Sequence, residues 1–155
     1  MKTARLLVLA PFAAAIAIAG CGGGGAHSAS RRTPPAVKLD HSKFGGFLVD
    51  GQNRALYLFA ADKTSASTCY SACASIWPPL KSTGSVKAGS GVAASALGTT
   101  KRKDGTTEVT YRGHPLYYYA GDANPGDTAG QGLNQFGARW YLLTADGSGI
   151  KSNAR

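Results

Sequence analysis

The chain has no apolar run long enough to cross a bilayer. Its most apolar stretch, Leu6 to Gly20, is fifteen residues and is interrupted by Pro11, where a spanning helix needs about 20. Nowhere do apolar residues recur with helical period over the length of an ordinary helix, which argues against a helical fold. Histidine is scarce, with 3 in 155 residues, and so are acids, with 8. There is no Gly-x-Ser-x-Gly, no His-Glu-x-x-His and no phosphate-binding glycine loop. The common serine-hydrolase, zinc-peptidase and nucleotide-binding signatures are therefore excluded.

What is present begins at the N-terminus. "MKTARLLVLAPFAAAIAIAGC" places Lys2 and Arg5 before the apolar stretch and reads as a secretory signal over residues 1–20. Its end, "IAGC", resembles a bacterial lipobox. In such signals the cysteine, here Cys21, is linked to diacylglycerol and the signal is cut just before it. Residues 21–40 then read as the lipidated cysteine and a disordered tether. "GGGGAHSASRRTPPAVKLD" has too few large apolar residues to offset the entropy of ordering it. Residues 41–150 read as one folded domain and 151–155 as a tail. Without the signal, 135 residues carry fifteen basic and eight acidic groups, a formal charge of +7. That suits anionic headgroups or acidic wall polymers. Export argues against a nucleic-acid partner, and Lys101–Arg102–Lys103 reads as a solvated hairpin end.

Within the domain, short β-rich runs alternate with turn signals. "FLVD", "GQNR" and "ALYLFA" give strand, turn and strand over 47–60. "TTEVTYR", "GHP" and "LYYYA" give the same plan over 106–120, and "KDG" joins 106–112 to a strand near 92–100. In 106–112, alternation puts Thr107, Val109 and Tyr111 on one face and Glu108, Thr110 and Arg112 on the other. "RWYLLT" is a last strand. "LYLFAAD" at 56–62 returns as "LYYYAGD" at 116–122, and each copy is followed by a loop and a tryptophan, Trp77 and Trp140. One such unit exposes an apolar face that it cannot cover alone, and two can cover each other. The expected fold is mainly β: a compact pseudo-twofold domain of two antiparallel β-hairpin repeats, units about 44–80 and 104–147. One short helix is expected near Cys69–Ile76, entered at Thr68 as N-cap and stopped by Pro78.

The repeated phrase fits Tyr-x-(Phe/Trp/Tyr)-x-x-Asp, as Tyr57, Phe59 and Asp62 and as Tyr117, Tyr119 and Asp122. Together with the lipobox, "TCYSACASIWPPL" and "RKDGTTEVTYRGHPLYYYAGD", it resembles a family of secreted bacterial lipoproteins called the secreted repeat of unknown function. The resemblance covers about 44–147. It implies a lipid-anchored, extracytoplasmic two-repeat protein and no reaction.

Two readings of the motif follow from the residues. In the structural one, Tyr57 and Phe59 pack on one sheet face, while Asp62 and Asp122 accept hydrogen bonds from the turns that follow them. In the other, the two copies floor a shared ligand cleft. Cys69 and Cys73 are the pair left in an exported chain, and a disulfide is the default. The rival is a Cu(I) site of both thiolates with His41 or His114. "DANPGD" at 122–127 looks like part of a calcium loop but lacks its closing acid, and His114 reads as a turn residue. The sequence is expected to encode a non-enzymatic binding or interaction module at the outer face of the cell membrane, with no cofactor and no metal. Its partners are the membrane, through the lipid on Cys21, and a cell-wall polymer or another envelope protein. The alternatives are redox or Cu(I) handling through Cys69 and Cys73, and a hydrolase using Asp62 and Asp122.

Overall fold

The computed structural model describes residues 34–151. The signal, Cys21, the tether up to residue 33 and the tail from 152 lie outside the described residues. Nine strands and one short helix occur among those described: β1 Ala36–Ser42, β2 Gly45–Asp50, β3 Tyr57–Phe59, α1 Ala72–Ile76, β4 Lys87–Ala88, β5 Leu97–Lys101, β6 Thr107–Tyr111, β7 His114–Pro115, β8 Asn134–Gln135 and β9 Ala138–Leu142. A single turn of 3-10 helix, Ala94–Ala96, leads into β5. They form three small sheets, ordered β2-β1-β4, β3-β9-β8 and β5-β6-β7. Every pairing is antiparallel except that of β1 with β4. The chain is mainly β, with two repeats and one short helix, as its sequence leads one to expect.

Two boundaries differ. Residues 36–40 belong to β1 and not to a tether. Val37 and Leu39 sit at alternate positions of that strand, and Val37 is fully buried. The helix starts at Ala72, with Ser71 as an N-cap that makes no side-chain bond, while Thr68 turns back to bond Asp62 through both its backbone N–H and its hydroxyl.

The pairing within and between repeats follows one scheme, used twice. Leu56 N–H donates to the Leu48 carbonyl, closing the first hairpin, and Leu116 N–H donates to Val109, closing the second. The strand that carries each tryptophan does not return to its own repeat. β9, after the second phrase, pairs with β3 of the first phrase. The segment 76–80, after the first phrase, runs beside the second: Ala120 N–H donates to Ile76, Tyr118 N–H to Pro78 and Leu80 N–H to Leu116. Ala60 N–H donates to Arg139 as the mirror of the Ala120 bond. The repeats are therefore strand-exchanged, each closed by the last strand of the other.

Each phrase is buried on both faces, which is why it is written as a nearly continuous apolar run. Leu56 and Leu58 face one cluster with Leu48, Leu80, Val109, Leu116 and Leu143. Tyr57 and Phe59 face another with Tyr117, Trp77 and Trp140. Four rings stack through this second cluster in the order Phe59, Trp140, Trp77, Tyr119, with centroid spacings of 4.1, 4.0 and 4.5 Å. Tyr57 meets Trp77 edge-on, and Tyr117 meets Trp140 in the same way. Each such pair adds about 0.5–1.5 kcal/mol beyond the area it buries.

Candidate functional site

Tyr57 and Tyr117 face each other across the join of the two repeats. Tyr57 N–H donates to the Tyr117 carbonyl at 2.8 Å, and Tyr117 N–H donates back at 3.0 Å. Their rings diverge, and each hydroxyl reaches the aspartate of the opposite phrase. Tyr57 Oη donates to Asp122 Oδ2 at 2.7 Å, and Tyr117 Oη donates to Asp62 Oδ2 at 2.6 Å. The second oxygen of each aspartate ties down the following loop: Asp62 Oδ1 accepts from Thr68 N–H, and Asp122 Oδ1 from Ala129 N–H, both at 2.8 Å. The motif tyrosine and aspartate of one strand thus pair between copies, never within one. Both tyrosines are held well above the usual phenol range, chiefly by burial, so each stays protonated and able to donate. Burial also raises Asp122, against the hydrogen bond from Tyr57.

The aspartates accept from residues beyond the adjacent turns. The aromatic residues form a filled interior with Trp77 and Trp140 fully buried, so they do not floor an open cleft.

Beside Asp62 lies a polar cluster that the sequence reading missed. Arg102 is 4 % exposed and Glu108 is fully buried. Arg102 Nη1 donates to Glu108 Oε2 and to Ser67 Oγ, and Nη2 to the Cys69 carbonyl, each at 2.6 Å. Tyr117 Oη also contacts Ser67 Oγ, which joins this cluster to the motif. Arg102 is therefore not part of a solvated hairpin end; only its neighbours Lys101 and Lys103 are exposed. The alternation of β6 holds, with Val109 and Tyr111 in the leucine cluster and Glu108 on the opposite face against Arg102, but both faces are buried. Glu108 Oε1 has no hydrogen-bond partner among the described residues, and burial lifts the carboxyl from 4.5 to about 7 despite Arg102. A signal was available in the repeat itself. Leu48 and Val109 donate alike, to Leu143 and Leu80, so Glu108 stands where the first repeat has Phe47.

Cys69 and Cys73 form a disulfide with Cα atoms 5.2 Å apart. Cys69 lies before α1 and Cys73 within it, which resolves the poor fit of a four-residue spacing to one regular helix. The bridge uses up the thiolates that a Cu(I) site needs. Among the described residues, no group of three or more His, Cys, Asp or Glu side chains could hold a metal ion. His41 is exposed near the end of β1 and His114 half-buried in β7. In "DANPGD", Asp127 accepts from Asn124 N–H and shapes the loop. No helix among the described residues is long and apolar enough to cross a membrane.

The family model described as a secreted repeat of unknown function matches residues 38–81 and 98–144, the two units whose strands are exchanged. The chain belongs to that family, and its place is extracytoplasmic. No curated protein and no solved structure matches it.

Proposed function

We propose that this member of the secreted repeat family is a non-enzymatic binding module of the cell envelope. It is anchored to the membrane through lipid on Cys21 and meets a cell-wall polymer or another envelope protein. One observation carries the non-enzymatic reading: the motif side chains are spent on each other. Asp62 is 5 % exposed and accepts from Tyr117 and Thr68; Asp122 accepts from Tyr57 and Ala129. A hydrolytic carboxylate must reach substrate or an attacking water, and a copper site needs free thiolates. Neither demand fits these residues. The anchor rests on "IAGC" at 18–21.

Two measurements test this. Cys21→Ser should move the protein from the detergent phase to the soluble fraction or leave it unprocessed. Processing at residue 21 with continued partition into detergent would defeat the lipid anchor. The purified chain should also sediment with isolated envelope material, and a chain that sediments with none of it would defeat the binding role.

A further inference from the structure

The fold buries acid and exposes base. All eight carboxylates lie among the described residues. Asp50, Asp62 and Glu108 are buried, and Asp122 is half-buried against Tyr57. Of the basic residues described, Arg102 alone is buried. The surface is therefore more cationic than the formal charge states, and the excess matters most where the surface is concave.

Three hollows, of about 480, 690 and 250 Å³, join end to end. The first and second share Lys81 and Thr83, and the second and third share Gly84 and Thr99. Together they make one trough. It starts beside Pro34 and Arg54, crosses the flank of β6 and ends at Gly98. The pairing of Lys81 with Glu108 and of Lys101 with Thr107 puts the two lysines on the segments that flank β6. Among the described residues, neither lysine pairs with a carboxylate. Ser82, Thr83, Thr99, Thr106 and Thr107 line the middle hollow; the Ser82 and Thr106 hydroxyls already donate to the Gly84 carbonyl and Asp104 Oδ1. Among the described residues, the only acid lining the trough is Asp50, which is closed off by Arg54, two backbone N–H groups and the Tyr118 hydroxyl. Asp104, in the turn beside it, is tied to Thr106 and Arg102.

We propose that this trough binds a strand of anionic glycan, its phosphodiester or carboxylate groups on Lys81 and Lys101 and its sugar oxygens on the threonine hydroxyls. Unpaired ammonium groups attract such charges without geometric demands. The hydroxyls of Thr83, Thr99 and Thr107, each both donor and acceptor, suit the polyhydroxylated backbone between them. Shape selects the strand over a lipid surface: a flat bilayer does not enter a trough. The exposed large apolar residues, Ile76 and Phe136, lie outside it. The assignment rests on the binding-module reading and gives that module its site and ligand class.

The test titrates the purified full-length exported chain, in mild detergent, with poly(glycerol phosphate), polygalacturonate, neutral dextran and phosphatidylglycerol vesicles. At least one of the two anionic polymers should bind, with affinity falling as salt rises, and dextran should not. The polymer that binds identifies the anionic group. Lys81→Gln/Lys101→Gln should weaken that binding about tenfold or more and flatten its salt dependence. Lys43→Gln/Lys63→Gln removes the same charge outside the trough and should change it by less than about twofold. Equal losses in both pairs would overturn the site, as would binding of dextran, or of vesicles alone. Sedimentation with delipidated envelope material, which gives the lipid on Cys21 no membrane to enter, separates the two proposals. If the Lys81/Lys101 variant sediments as the parent does, the trough is wrong and the module stands. If the parent does not sediment, the module reading itself falls.

Discussion

Tyr117 and Arg102 carry the most consequence of any single side chains. Tyr117→Phe removes one hydroxyl that serves both Asp62 and Ser67 in a buried setting, and should cost about 1–3 kcal/mol in denaturant unfolding. Tyr57→Phe, whose partner Asp122 is half-buried, should cost less. Arg102→Met removes the partner that draws the buried Glu108 carboxyl down, so Glu108 must hold a proton that the unfolded chain has lost, and should cost about 3–5 kcal/mol at neutral pH. The cost should shrink toward pH 4.5, where the unfolded chain takes up that proton as well. Arg102→Met/Glu108→Leu should cost less than the single change, because no charge is left unpaired. The wild-type pH dependence has a definite sign. A folded carboxyl near 7 against 4.5 when unfolded holds protons that the unfolded chain has lost. Its contribution is fully present below about 4.5 and is lost as pH rises toward 7. Thermal unfolding across that window should show the decline, and the Arg102/Glu108 double variant should flatten it.

Two short elements make predictions of their own. The disulfide closes a loop of only a few residues, so Cys69→Ser/Cys73→Ser should lower stability by about 2 kcal/mol and leave the fold intact by circular dichroism. The hairpin joining β8 to β9 turns through Phe136 and Gly137, both at positive φ, 58° and 88°. Such a turn prefers Asn-Gly, and a left-handed phenylalanine costs about 1–2 kcal/mol. Phe136 is also 47 % exposed, so it loses little packing when replaced. Phe136→Asn should raise the unfolding free energy by up to about 1 kcal/mol. The strands themselves were legible: alternation and turn residues located β2, β3, β5, β6 and β9. What local pattern could not supply was the burial of both faces of β6. Its Glu108 is a polar letter on an interior face and is held there by Arg102 from the preceding turn. β1 was hidden differently, since "AVKLD" follows a stretch of glycine, serine and proline that shares none of its alternation.

Across the whole molecule, the repeated phrase is a lock between two halves. Sequence showed that there were two units and that each needed the other. It could not show which closing strand serves which phrase, because two near-identical phrases offer two near-identical partners. The structure pairs them crosswise, through β9 on β3 and 76–80 on the second phrase, and sets Trp77 on Trp140 at the centre. The same choice explains why the motif carries no open site and why the trough, lined by none of its residues except for the flanking Tyr118, is where a ligand is to be sought.

Strand exchange can be tested by cutting the chain between the units. Residues 34–91 and 92–151 should each be disordered alone, because each lacks the strand that closes its hairpin. Mixed in equal amounts, they should assemble into one species whose amide spectrum matches that of the uncut chain. If either half alone gives a dispersed spectrum with its tyrosine and tryptophan buried, each repeat closes on itself and the account is wrong.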